Sequence, residues 1–455
     1  DDIDPTGVAA WTPPAIGPEA LALIQFTSGS TGDPRGVLVT HANLLANLRD
    51  VATHLDHDRH SVMVSWLPLF HDLGLIYGLL QPLAEGHLGV LIPPAAFLQQ
   101  PLRWLRVISD FRATHAAAPN FAYELCVARV SEETLAGLDL STWRVAVNAA
   151  EPVRDETLRR FADRFAPAGF RPEAFCPAFG LAEATLHVTS VPAHQVAARA
   201  VVDPEALKAQ RVLLVSSAAS KALSLVSSGQ PVHPTAIRIV DPDTFQLCEP
   251  DRVGEIWVCG PTVAAGYFDH EDASAATFGA RIPGDAHRYL RTGDLGFLHR
   301  GQLFVTGRLK DIVILHGANH YPQDFEATVE SCHPALASAG SAAFAIDGPL
   351  GDGLAVVAEL ERANRKRFDP LEIIQSIRRA ITQTHGVAVE HVTLIDPHTL
   401  PRTTSGKVQR RGCRERLLAG DLAVIARWQR GQGDAAPPSG QTQSPSDVLA
   451  WLRQR

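Results

Sequence analysis

Residues Gln25–Gly36, QFTSGSTGDPRG, place seven glycines, serines and threonines at one turn. The turn lies between an apolar run that reads as a strand (LALIQF, Leu21–Phe26) and a second strand and helix (VLVTHANLLANLRDVATHL) with Thr40 as its cap. Glycines let a backbone close around an anion, and bare N–H groups and hydroxyls donate to phosphate oxygens. The pattern therefore predicts a phosphate cradle, with a plain surface turn as the other reading. Gly29 and Gly32 stand too close together for a Walker A loop, and no Gly-Lys-Ser/Thr follows. Three further segments carry groups that could act on a bound phosphate ester. FGLAEAT (Phe179–Thr185) sets Glu183 just past a strand end, where alone it reads as a surface glutamate or a first-turn helix charge. RTGDLGF (Arg291–Phe297) puts Asp294 in a glycine-flanked turn, where turn chemistry alone also explains it. LPRTTSGKVQRR (Leu400–Arg411) presents Lys407 on a second Ser/Gly-rich loop, where most lysines are solvated.

The elements that must hold these groups alternate in type. From Leu21 to about Thr306, short apolar runs (VMVSWLPLF, GVLIPP, RVAVNAA, TAIRIVD, GEIWVCG, QLFVTG) alternate with helical patterns. This spacing predicts a large α/β domain, residues 1–306, with additional β-structure towards its end. After GRLKD comes a compact pattern of strands (IVILHG, SAAFAI, GLAVVAEL, EHVTLID) and helices (PQDFEATVESC, PLEIIQSIRRAITQTHG). It reads as a small α+β domain over 313–430, joined through a hinge at 307–312. Residues 195–228 interrupt the pattern and read as an insertion.

Composition sets limits. The 455 residues are 45% hydrophobic and 20% charged, with a net charge of −8, which disfavours nucleic acid as a partner. Six cysteines without CxxC spacing suit reduced thiols in a cytoplasmic protein. No apolar run reaches the roughly 20 residues that span a bilayer. The chain opens at Asp1 and its single methionine is Met63, which reads as a piece of a longer polypeptide. Residues 431–445 are a polar, Pro/Gly-rich linker, and SDVLAWLRQR (446–455) reads as the first helix of a following domain, in the pattern of a carrier protein.

Taken together, the order and wording of these segments resemble the adenylate-forming superfamily of acyl-CoA synthetases, peptide-synthetase adenylation domains and luciferases. Within it the chain is most similar to the fatty acyl-AMP ligases. SWLPLFHDLGLIYGLLQPL (Ser65–Leu83), AAAPNFAYELC (Ala116–Cys126) and NAAEPVR (Asn148–Arg154) carry that likeness, and the 195–228 segment lies where those ligases have an insertion that affects domain movement.

The resemblance implies ATP and Mg²⁺ as cofactors and a fatty acid as substrate. An acyl carrier protein, on the same polypeptide, is the implied acceptor. It implies that Thr27, Ser28, Gly29, Ser30, Thr31 and Gly32 clasp the β- and γ-phosphates, with Thr31 and Glu183 at the metal. Phe179 and Gly180 would lie against adenine, opposite a wall made by the backbone of Ala149, Ala150 and Glu151. Asp294, assisted by Arg308, would bind the ribose. Lys407 would stabilise charge on the carboxylate and α-phosphate, Lys310 would occupy the hinge, and His71 joins the catalytic set.

An acyl pocket built from Trp66, His71, Leu75, Ala117 and Phe121 is expected, with ordinary core as the other reading of its apolar members. The basic run KVQRRGCRERL (Lys407–Leu417) reads either as a face for an acidic carrier or as a solvated helix face. Arg35 stands where the family commonly has lysine. A fatty acyl-CoA ligase, an amino-acid adenylation domain and a binding module without turnover are the alternatives. The second is disfavoured by His71, which stands where such domains usually carry an aspartate.

Overall fold

The computed structural model describes residues 12, 14–27, 34–219, 222–315, 317–336, 340–348, 351–361, 367–403 and 406–431. Ser28, Gly29, Ser30, Thr31 and Gly32 of the expected phosphate cradle, and the linker and helix expected after residue 431, lie outside them.

The large domain is built on a six-stranded sheet in the order Leu88–Leu91, Val62–Ser65, His115–Ala118, Val145–Asn148, Phe175–Gly180, His187–Ser190. The first five strands run parallel and the last pairs antiparallel to its neighbour. Strands buried on both faces read as continuous apolar runs, and His115–Ala118 and Val145–Asn148 are buried at every position. Trp104, Tyr123, Trp143 and Phe161 fill the core beside them with edge-to-face ring contacts. Thr40 caps the helix His41–His54 in a reciprocal box with Asn43, as its sequence predicts.

A four-stranded antiparallel sheet follows, in the order Ala236–Val240, Gly254–Cys259, Leu290–His299, Gln302–Arg308. One expectation fails here. Asp294 is not in a free turn but inside the ten-residue strand Leu290–His299. Glu255 faces Leu295 while Trp257 faces Arg291, so Thr292, Gly293 and Asp294 bulge opposite Ile256 alone. Gly293 takes φ +69°, a conformation that favours glycine, and the Gly293 N–H donates to Glu255 Oε1 at 3.1 Å. A glycine read as a turn signal is a bulge signal.

The 195–228 stretch is woven into the domain. Strands Arg199–Val202 and Leu223–Val226 pair antiparallel around the short helix Pro204–Lys208. Ala200, Val202, Leu207 and Val212 share a cluster with Phe297, Phe304 and Tyr321.

In the small domain a sheet runs Ser341–Gly348, Gly351–Glu359, Val389–Ile395, Val424–Gln429. The helix Pro370–His385 starts at Asp369, whose side chain accepts the Leu371 N–H, and buries Ile373, Ile374, Ile377 and Ile381 against one face of the sheet. The helix Arg410–Ala419 covers the other face through Cys413 and Leu417.

Candidate active site

The strand order of the parallel sheet places a topological switch between Val62–Ser65 and His115–Ala118. In such sheets ligands bind beyond the carboxyl ends of the strands. Four strand ends here feed one cleft of about 2600 Å³. Ser65 leads to Phe70, His71 and Asp72, and Ala118 leads to Asn120 and Phe121. Asn148 leads to Ala149, Ala150 and Glu151, and Gly180 leads to Leu181 and Glu183. Asp294, Arg308 and Lys407 close the cleft from the other sheet and from the small domain.

Lys407 belongs to the loop before the helix Arg410–Ala419, and its backbone N–H donates to Thr403 Oγ1 at 3.1 Å. The preceding Gly406 has φ +91°, and a Cβ there would approach the Phe121 ring at 3.1 Å. Glycine therefore lets the small-domain loop lie on the large domain. Burial pulls the Lys407 ammonium below the usual lysine range, against the raising pull of the Asp72, Glu151 and Asp294 carboxylates. Burial alone would push Asp72 up, but His71, with Nδ1 at 2.6 Å from Asp72 Oδ1, and Lys407 together hold it below the usual range. Glu151 is pushed up by burial, and its carboxylate accepts the Phe121 N–H. The product is one cation enclosed by carboxylates where four loops meet.

Asp294 and Arg308 sit directly across from one another in paired strands, with Arg308 Nε donating to Asp294 Oδ1 at 3.0 Å. Asp294 is the main cause that raises Arg308 above its ordinary range. Phe179 and Gly180 line the cleft from the end of the strand Phe175–Gly180, and Ala149–Glu151 line it from the neighbouring strand end. Ala150 holds φ +73°, a strained conformation for alanine that points its peptide units away from the regular strand path.

Glu183 also lines the cleft. Its Oε1 accepts a hydrogen bond from Tyr267 Oη at 2.8 Å, while burial raises its carboxyl above the usual range. Arg35 lies over the Tyr267 ring at 5.3 Å. The Thr27 N–H donates to the Arg35 carbonyl at 2.9 Å, closing the neck of the Gly/Ser loop. Lys310 lies in the turn Leu309–Asp311 at the junction of the domains and lines the cleft.

Several expectations change. Of the residues expected around an acyl chain, His71 and Phe121 line the cleft, while Trp66, Leu75 and Ala117 pack into or against the main core. Trp66 stacks on Phe97 at 3.9 Å, and an aromatic so paired is core. The basic run is not a uniform outward face: Arg410 turns inward onto Glu326 and Asp311, and Arg414 Nε donates to the Ala345 carbonyl.

Asp72 and Glu151 lie in SWLPLFHDLGLIYGLLQPL and NAAEPVR, but their carboxylates had no expected role, and only the backbone of Glu151 did. Tyr267 meets Glu183 across 84 positions, and nothing local marks it.

Two family models match the chain: the AMP-binding enzyme over residues 3–268 and the Disco-interacting protein 2-like AMP domain over 310–427. The chain belongs to the family of AMP-binding enzymes, and within it to the fatty acyl-AMP ligases. A medium-chain-fatty-acid–[acyl-carrier-protein] ligase of Moorena producens is 44% identical over 415 residues, covering 90% of this chain and 70% of that protein. A second such ligase, of Teredinibacter turnerae, is 36% identical over 460 residues, covering 99% of this chain and 71% of that protein. The solved fatty acyl-adenylate ligase of L. pneumophila, in complex with acyl adenylate and pyrophosphate, is similar with a TM-score of 0.67 and 40% identity. It is matched over 94% of this chain and 74% of that one.

Proposed function

We propose that the chain activates a fatty acid with ATP and passes the acyl group to the phosphopantetheine thiol of a carrier protein. The observation that carries this reading is the enclosure of Lys407 with Asp72 and Glu151 at the carboxyl ends of the parallel strands, next to the Asp294–Arg308 pair. In the first step a fatty-acid carboxylate oxygen attacks the α-phosphorus of ATP, the acyl–O–P bond forms, and pyrophosphate leaves. Lys407 offsets the negative charge gathered on the carboxylate and α-phosphate oxygens. Asp72 and Glu151 keep the ammonium charged and aimed. Asp294 accepts from the ribose hydroxyls, with Arg308 fixing its carboxylate. Phe179 stacks on adenine against the backbone of Ala149–Glu151. His71 holds Asp72 beside Lys407. In the second step the carrier thiol attacks the acyl carbonyl carbon and AMP leaves.

The donor set fits Mg²⁺ bound with ATP. Magnesium sites on nucleotides commonly use one or two carboxylates and complete the shell with phosphates and water, and Glu183 is a desolvated carboxylate lining the cleft. The ion would neutralise phosphate charge; Glu183, and Thr31 of the loop, would hold it. Glu183→Gln is expected to raise the Mg²⁺ concentration needed for half-maximal pyrophosphate release on the order of 10–100-fold, with fatty-acid binding little changed. An unaltered Mg²⁺ titration at fixed ATP removes Glu183 from the metal.

The acceptor reading follows from the carrier-protein ligases among the relatives. We further propose a carrier tethered beyond residues 431–445, which would make delivery intramolecular at effective concentrations on the order of millimolar. The test supplies fatty acid and ATP with either coenzyme A or a phosphopantetheinylated carrier. Acyl-carrier is expected to form faster than acyl-CoA, in keeping with the carrier-protein ligases among the relatives. Equal rates would assign the chain to the acyl-CoA ligases, and the absence of fatty-acid-dependent pyrophosphate release would leave a binding module.

A further inference from the structure

Glu255, on the strand Gly254–Cys259, is a carboxylate 2% exposed whose two oxygens take four donors. Its Oε2 accepts from Arg291 Nε at 3.0 Å, from Arg291 Nη2 at 2.9 Å and from Trp257 Nε1 at 2.8 Å. Its Oε1 accepts the Gly293 N–H at 3.1 Å. The Arg291 guanidinium is itself held over the Phe245 ring at 4.8 Å and the Trp257 ring at 5.7 Å. Burying a carboxylate is costly unless it is paired and hydrogen-bonded, and apolar residues would pair these strands without that cost. Strand pairing alone does not call for the charge; the bulge does.

Thr292, Gly293 and Asp294 stand opposite Ile256 alone, and side chains take two of the bulge's N–H groups. Gly293 donates to Glu255, and Asp294 donates to Thr292 Oγ1 at 3.1 Å. Thr292 Oγ1 in turn donates to the Ile256 carbonyl at 2.7 Å. The chain is thus gripped where it leads into Asp294, whose carboxylate meets Arg308 of the strand on the opposite side. Aspartate has a short side chain, so placing its backbone places its carboxylate. An error of about 1 Å in a group that positions substrate is costly.

We propose that Glu255 and Thr292 form a clamp of positioning residues that aims Asp294 at the ribose and so makes the protein select ribonucleotides over nucleotides lacking the ribose hydroxyls. The inference rests on the ribose reading of Asp294 and extends it to residues that do not touch the nucleotide. An isosteric glutamine cannot replace Glu255. Its amide offers one acceptor and one donor, so either Gly293 or the Arg291–Trp257 side is left with an N–H facing an N–H. Thr292→Val removes only a hydroxyl at nearly constant shape and frees the Asp294 N–H.

The test measures binding of ATP and of 2′,3′-dideoxy-ATP by calorimetry, both with Mg²⁺ and without fatty acid, so that nothing turns over. The unaltered protein is expected to prefer ATP on the order of 10–100-fold, the worth of hydrogen bonds to a charged group. Glu255→Gln and Thr292→Val should each cut that preference to about threefold or less, with dideoxy-ATP bound within about twofold as before. A merely structural role would weaken both nucleotides alike and leave their ratio unchanged. An unchanged ratio in Glu255→Gln therefore overturns the inference. Thermal unfolding shows whether that variant folds; where it does not, the ratio in Thr292→Val decides in the same way. Asp294→Ala separates the two readings. If it keeps the preference for ATP, the ribose reading falls and the inference with it. If it loses the preference while Glu255→Gln keeps it, only the inference falls.

Discussion

Replacing Lys407 with alanine is expected to slow acyl-adenylate formation by about 10²–10³ while sparing transfer from preformed acyl adenylate. A preorganised charge aimed at a developing oxyanion is worth roughly 3–4 kcal/mol, which sets that range. Lys407 is well suited to the role because it is enclosed: burial lowers its affinity for a proton, and Asp72 and Glu151 return part of that loss. An ammonium already stripped of water has little solvent to reorganise when charge builds on the substrate. Selectivity between the two steps follows from its location. Lys407 comes from the small domain, whereas Asp72, Glu151, Phe179 and Glu183 come from the large one. Any rotation of the small domain that admits a carrier arm withdraws Lys407 and leaves the adenylate with the large-domain residues. Lys407→Arg should recover only part of the rate, since a planar fork does not reproduce a point charge in this enclosure. Pyrophosphate exchange reads the first step, and single-turnover transfer from supplied acyl adenylate reads the second. Equal losses in both would place Lys407 in a structural role.

Periodicity made most of the elements that carry the site legible. Ile373, Ile374, Ile377 and Ile381 recur at helical spacing between a capping Asp369 and Gly386, and that stretch is the buried helix of the small domain. The run RVAVNAA holds the central parallel strand Val145–Asn148, and the carboxyl ends of Val62–Ser65, His115–Ala118 and Val145–Asn148 deliver His71, Phe121 and Glu151 to one place. What spacing does not carry is which distant element crosses a given strand end. Tyr267 meets Glu183, and Asp72 and Glu151 meet Lys407, only because separate loops converge there. Local composition also misleads where two structures share one signal. Gly293 marks a bulge within a strand, and the tryptophan of SWLPLF is sequestered against Phe97 while the neighbouring His71 reaches the cleft. Apolar residues beside a binding site and apolar residues of the core look alike until packing separates them.

Arg410→Ala is expected to destabilise the small domain by about 3–5 kcal/mol, through the buried charge it leaves behind. Arg410 grips Glu326 with two hydrogen bonds, Nε to Oε1 and Nη2 to Oε2, each 2.7 Å, and its Nη1 reaches Asp311 Oδ2 at 2.9 Å. Glu326 is 5% exposed and also accepts the Ala343 N–H at 3.1 Å. Removing the guanidinium strands a largely buried carboxylate without its partner, which costs more than the pair itself contributes. The double variant Arg410→Ala with Glu326→Gln keeps an acceptor for Ala343 and removes the charge, so it should recover much of the loss. Chemical denaturation, with hydrogen exchange over 322–332 and 410–419, measures both. If the double variant is as unstable as the single, the stranded charge is not the cause. The consequence extends to catalysis. Arg410 follows the Lys407 loop in sequence, and Asp311 closes the turn that follows Arg308, so one guanidinium ties the lysine's loop to the end of the strand that carries Arg308, the partner of Asp294. Adenylation by Arg410→Ala should therefore fall at temperatures below unfolding, and the double variant, which restores the fold without restoring the tie to Asp311, should regain stability but not the full rate.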